Sequence, residues 1–448
     1  MQKKIASKQN IIFGILILIF LIFTTYLVFN LKMGISPDSW YHLRVSQEYS
    51  KTLGIPENNE NTYQWRDITN IPYLYFWING RILNLNEITF NFNQVILLRV
   101  FNILFSLGTV IATYLLSKQF IKNKYAQLLP VALLTNTLMF LSLSSSINYD
   151  NLGNMFAAFA ILFFVKSIKQ KYDIKYLLLT ILMLCLGALT KFTILPLAFI
   201  LVILLVVDIF KNRKGWRINI KDKSLLLILP ILLFGGLNLI LFGNNILKHG
   251  ELTPACEKTL TYEQCLTNGV FYRDNITIPA VEVNVVEMIK SGERLDPIRY
   301  AGVWSWEMTK RVVSIMGDQS LYHSNLVVSV FFSLLVITIF IGAFNWKKYN
   351  KETKYMVILT LFYLLVLMIV QNYDMYLKRS YPTLALQGRY MFPVISSFYV
   401  LLSIFWLKIG NRYLKIGIIA VSLLLLILLS IPFYILNVDP TWFGSITY

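Results

Sequence analysis

The stretch Ser36-Pro37-Asp38-Ser39-Trp40-Tyr41-His42-Leu43-Arg44 puts a carboxylate, an imidazole and a guanidinium within one or two helical turns, beside aromatic rings. Such a set can accept a proton and hold an anion. Ser36 as N-cap and Pro37 at the first helical position predict that a helix opens here. Asp38, Tyr41 and His42 then share a face, at i, i+3 and i+4. An interfacial helix with an aromatic belt and a capping acid accounts for the same residues, so the weight rests on what else the chain brings to this side.

Several other residues are candidates for that side. Asp150 lies in the very short turn Ile147-Asn148-Tyr149-Asp150-Asn151, and Lys191 alone separates two apolar runs. Arg99 and Arg389 stand near helix ends, and Trp304 lies in a long polar loop. Asp38 and Asp150 are the candidate catalytic acids. His42, Arg44, Arg99, Tyr149, Lys191, Trp304, Arg389 and Tyr390 are the candidate substrate-binding residues. Together they can hold an anionic lipid phosphate, neutralised by Lys191 and Arg389, beside a carboxylate that takes a proton. Taken singly, each also has a plainer role: Arg99 and Arg389 as snorkelling anchors, Asp150 as a helix cap, Trp304 as a belt aromatic.

The elements that position these residues are apolar runs. In 448 residues, 56% hydrophobic and 15% aromatic, such runs recur too often for a soluble domain. The net charge of +18 does not mark a nucleic-acid partner, because the lysines cluster in short loops between the runs, as the positive-inside rule requires. Eleven helices are predicted, making an all-α polytopic membrane protein of one domain over residues 1–448. Residues 31–94 form a long first extracytoplasmic loop, with an interfacial helix over Ile71–Leu85. Residues 243–324 form a second. The N-terminus is cytoplasmic, on a retained signal anchor, and the C-terminus is extracytoplasmic. Cys256 and Cys265 share the second loop, where a disulfide is compatible with an oxidising compartment. No Cys/His spacing resembles a zinc site.

Pro37–Arg44 is similar to the first-loop motif of oligosaccharyltransferase catalytic subunits. Gln387-Gly388-Arg389-Tyr390-Met391-Phe392-Pro393 resembles the Arg-Tyr-x-x-Pro signature of aminoarabinose transferases and protein O-mannosyltransferase relatives. With Ser146–Asp150 and Leu189–Phe192, these motifs resemble the GT-C superfamily of membrane glycosyltransferases over about residues 11–410, and within it an uncharacterised bacterial family. The resemblance implies a GT-C-like bundle and an inverting transfer from a polyprenyl-phosphate sugar donor. The acceptor is a glycan, lipid or protein of the cell envelope, outside the cytoplasm. Asp38 inherits the role of general base on the acceptor hydroxyl, and Arg389 and Lys191 that of binding the donor phosphate.

Two departures qualify the resemblance. Many relatives carry a second acid directly after the first, where this chain has Ser39. That weakens the case for a divalent ion such as Mg or Mn, which takes several oxygen ligands. The sequence also ends at Tyr448 without a soluble C-terminal domain, so transfer of a whole glycan to an Asn sequon is not expected. A lipid-linked sugar flippase and a surface polysaccharide polymerase or ligase are the alternative readings.

Overall fold

Apolar runs in a low-dielectric medium must satisfy their backbone internally, and here they do so as helices. The computed structural model describes residues 2–170, 173–212, 223–281, 285–316 and 319–444. Helix α1 (Gln2–Asn30) leads into the first loop, which holds α2 (Ser39–Ser50) and α3 (Leu74–Thr89), and α4 (Gln94–Phe120) returns. A bent pair, α5 (Leu129–Thr135) and α6 (Leu138–Ser144), precedes α7 (Tyr149–Lys169), α8 (Ile174–Thr190), α9 (Leu195–Lys211) and α10 (Ile228–His249). The second loop contains α11 (Tyr262–Leu266), α12 (Gly269–Tyr272), α13 (Val285–Ser291) and the longer α14 (Pro297–Val313). Then come α15 (Asn325–Phe344), α16 (Lys351–Val366), α17 (Asp374–Arg379), α18 (Ile395–Leu407), α19 (Arg412–Leu428) and α20 (Ile431–Asn437).

Among the described residues, nine helical segments are long and apolar enough to cross a membrane, or ten if the bent pair counts as one span, and α8 is shorter. Each of the eleven predicted runs is helical, and the chain is a multi-pass membrane protein. The helix starts have a common local cause. Asn93, Asn148, Asn268, Asn350 and Asn411 each accept a backbone N–H at the head of a helix, as N-cap amides do. The basic residues Arg213, Lys214, Arg217 and Lys221, expected on the inner side, lie outside the described residues.

Three expectations need correction. The run over residues 126–146 is not one helix, because α5 and α6 meet at 66°. The break is held by Thr137, whose hydroxyl bonds the Leu133 carbonyl at 2.8 Å and the Tyr399 hydroxyl at 2.6 Å. The helix expected at the interface over Ile71–Leu85 is α3, and its Tyr75 and Phe76 are fully buried against α2. Its close approach depends on Gly80, where a Cβ would lie 2.8 Å from the Tyr49 backbone. Helix α10 runs on to His249, so the second loop begins later than residue 243. That loop carries the Cys256–Cys265 disulfide.

Candidate active site

Asp38 occupies a turn between α1 and α2. The helix opens at Ser39, not at Pro37 with Ser36 as its cap: Ser36 is extended, and Asp38 is the N-cap residue in the left-handed region at φ 58°. Proline disfavours the helical region for the residue before it, which keeps Ser36 extended. Aspartate is among the few residues that tolerate a positive φ. The Asp38 carboxylate makes no cap hydrogen bond. It is left free for a partner, and its backbone carbonyl accepts the His42 N–H at 3.0 Å.

That partner is Arg389, from the stretch just before α18. Its Nη2 pairs with Asp38 Oδ2, its Nε donates to Gln387 Oε1 at 2.5 Å, and the same Nε stands 3.6 Å from Asp150 Oδ2. Asp150, in the first turn of α7, pairs through Oδ1 with Lys191 Nζ from the α8–α9 junction. Two acids and two cations from four parts of the chain thus alternate in one cluster. Their burial is unequal: the Arg389 and Asp150 side chains are 3% and 2% exposed, whereas that of Asp38 is 49% exposed. Lys191 is buried as well. Arg389 Nη1 and Asp150 Oδ2 are buried without hydrogen-bond partners, which is unusual for groups of this polarity.

Aromatic rings line the cluster. Lys191 Nζ sits 4.7 Å from the Tyr149 ring centre and 5.0 Å from that of Tyr390. His42 is fully buried, stacks on Phe76 at 5.8 Å and meets the Tyr149 ring at 4.5 Å. Burial outweighs the opposing pull of Asp38 and holds the His42 imidazole at about 3, so it is neutral. Burial alone would raise the Asp38 carboxyl, but Arg389 prevails, with smaller help from His42 and Lys191, and holds it at about 2.

Three candidates lie elsewhere. Arg44 is exposed and makes its contacts with Gln47 at 3.1 Å and the Trp40 ring. Arg99 is fully buried and donates to the Val28 and Leu31 carbonyls at 3.0 and 2.7 Å, satisfying the end of α1. Trp304 donates to Asn372 Oδ1 at 2.9 Å and lines an apolar cavity of about 270 Å³. Phe398, Leu402 and Trp406 of α18 also line that cavity, as does Met391, just beyond Arg389.

A divalent ion fits this donor set poorly. Both carboxylates already face a basic side chain, which a metal ion would have to displace or repel. Among the described residues, no three His, Cys, Asp or Glu side chains gather closely enough to hold one. Sequence reasoning quotes Gln387 and Gly388 in the motif but gives them no role: Gln387 orients Arg389, and at Gly388 a side chain would overlap the Arg311 carbonyl of α14. A glycine beside an arginine is the only local signal for this close approach.

The family described as dolichyl-phosphate-mannose-protein mannosyltransferase matches residues 71–235. That interval holds Arg99, Tyr149, Asp150 and Lys191 and leaves out Asp38 and Arg389. The family match and the motif resemblance point to the same superfamily, the GT-C membrane glycosyltransferases. No curated protein matches the chain. Among solved structures, the chain is similar to ArnT from Cupriavidus metallidurans bound to undecaprenyl phosphate. The identity is 11% and the TM-score 0.49, covering 91% of this chain and 63% of that one. It is also similar to the oligosaccharyltransferase AglB from Archaeoglobus fulgidus in complex with an inhibitory peptide and a dolichol-phosphate. There the identity is 12% and the TM-score 0.49, covering 97% of this chain and 56% of that one. The chain therefore spans less than two thirds of the length of either structure.

Proposed function

We propose that this protein is a membrane glycosyltransferase. It moves a sugar from a polyprenyl-phosphate donor to an acceptor hydroxyl on the extracytoplasmic side of the membrane. The observation that carries this reading is Arg389, which holds a half-exposed Asp38 through Nη2 while its buried Nη1 has no hydrogen-bond partner. A guanidinium so placed offers a donor to a phosphate oxygen beside a carboxylate that can reach an incoming hydroxyl. The match of residues 71–235 to a family named for a polyprenyl-phosphate-type donor supports the same reading.

The acceptor oxygen attacks the anomeric carbon from the face opposite the phosphate. The bond between that carbon and the phosphate oxygen breaks, and the phosphate leaves with the electron pair. The acceptor proton passes to Asp38. Attack opposite the leaving group inverts the anomeric centre. The bound phosphate draws on the same guanidinium, which loosens its hold on Asp38 and makes the carboxylate a better base. Asp150 keeps Lys191 beside the leaving phosphate, where its charge counters the charge that develops. The apolar cavity that includes Met391 and Trp304 suits the isoprenoid tail.

The test is transfer of label from a panel of polyprenyl-phosphate sugars to membrane-extract acceptors, with Asp38→Asn beside the wild type. Loss of the general base is expected to cost about 10²- to 10⁴-fold in rate per folded molecule, with a modest loss of thermal stability because Arg389 loses its charged partner. Wild-type protein that binds donors saturably but transfers no label would point to a carrier of lipid-linked sugars instead.

A further inference from the structure

Asn148 is fully buried and stands at the head of α7, where its Oδ1 accepts the Asp150 N–H at 2.9 Å. Many polar residues could do that much as an N-cap. Its second bond is less ordinary. Nδ2 donates at 3.2 Å to the carbonyl of Pro37, 111 residues away in sequence and directly before Asp38. One amide therefore grips the peptide that enters Asp38 and the backbone of Asp150. The orientation of the amide follows from its neighbours. The side facing an N–H must be the oxygen, and the side facing a carbonyl must be the NH₂. Aspartate at this position would keep the cap and lose the donor, and serine or threonine would keep the cap with a hydroxyl one bond shorter than the amide that reaches Pro37.

The Asp38 turn needs such a hold. Asp38 has a positive φ and no side-chain cap bond, so neither helix propensity nor capping fixes its peptide. Asn148 is itself braced. Asn102 Oδ1 accepts the Asn148 N–H at 3.4 Å and Asn151 Nδ2 at 3.0 Å, and Asn102 Nδ2 donates to the Tyr75 hydroxyl at 3.0 Å. We infer that Asn148 is a positioning residue, which sets the Asp38 carboxylate at its working distance from Asp150 and Lys191 without touching the substrate. The inference rests on the transferase reading of the same site.

Two variants of the full-length protein separate this role from simple capping. Asn148→Ser keeps an acceptor for the Asp150 N–H and loses the bond to Pro37, and Asn148→Ala loses both. With labelled polyprenyl-phosphate sugar as probe, Asn148→Ser is expected to lower kcat about 10-fold and leave the donor KM unchanged, because small displacements of a reacting group are costly. Hydrogen exchange should quicken in the peptide over residues 33–43 and stay as in wild type at the start of α7. Asn148→Ala should quicken both segments and lower kcat further. Wild-type kcat in Asn148→Ser, or unchanged exchange over residues 33–43, would overturn the inference. Should wild type transfer no sugar, the transferase reading falls. The exchange data then still decide whether Asn148 holds the turn: quickened exchange keeps that part, and unchanged exchange removes it.

Discussion

Two carboxylate–lysine pairs with buried acids sit at opposite ends of α9, and one of them has the makings of a site. At the head of α9, Asp150 and Lys191 are both enclosed, with side chains 2% and 4% exposed. Toward its other end, about 25 Å away at the helical rise, Asp208 is fully buried and pairs with Lys351, which is 35% exposed. Asp208 also accepts the Tyr355 hydroxyl at 3.2 Å. In the second pair the cation reaches water and the acid is sealed, so it fastens α9 to α16. In the first, both partners are sealed and the half-exposed group is another acid, Asp38, held through Arg389. A helix fastening hides its carboxylate. A site that takes protons must present one.

The largest expected effect comes from making the same change at both ends. Asp150→Asn leaves Lys191 charged, buried and unpaired, and should cost about 3–5 kcal/mol of stability, read as a lower denaturation midpoint in mild detergent. Transfer should fall with it. Next, Arg389→Lys replaces a planar fork that contacts Asp38, Gln387 and Asp150 by a single ammonium. Transfer is expected to drop about 100-fold, equivalent to about 2.7 kcal/mol of barrier, with a raised donor KM and little loss of stability. Smaller again is Asp208→Asn. Lys351 can turn into water, so the cost should stay near about 1 kcal/mol, and activity per folded molecule should be unchanged. Equal losses for Asp150→Asn and Asp208→Asn would dissolve the distinction between the two ends.

A further effect is a slope with pH. His42 titrates at about 3 in the folded protein against an ordinary 6.5, so below pH 6.5 the unfolded chain binds the extra proton. The stability that neutral His42 contributes is full above pH 6.5 and is lost as the pH falls toward 3. His42→Phe keeps the stacking on Phe76 and has no proton to gain. Its midpoint should match wild type at pH 7.5 and fall less than wild type by pH 4.5. Asp38, also depressed, contributes stability that is present above its ordinary pKa of 3.8 and lost as the pH falls toward about 2.

Some of this organisation is legible in the amino-acid sequence. The length and apolarity of each run demand a helix, and the polar residues between runs mark where helices end. Asp38, Asp150, Lys191 and Arg389 each interrupt or border such a run, where a charge is costly enough to signal a partner. Other features leave little trace. Arg99 reads like a ligand-binding cation, yet it satisfies the last carbonyls of α1 from a different helix. The break at Thr137 depends on Tyr399, far along the chain. Neither can be seen in a local window, because each is settled by which helix lies alongside.

The sequence by itself therefore determined that the protein is helical and crosses a membrane many times, and which charged residues stand near the helix ends. Those properties follow from transfer energies and periodicity, which are local. Only the tertiary structure decided that Arg389 pairs with Asp38 across 351 residues and that Lys191 is spent on Asp150. It also decided that Asp38 is the acid left half-exposed. Pairing among buried charges depends on distances of a few ångströms between separate helices, and no spacing along the chain encodes those.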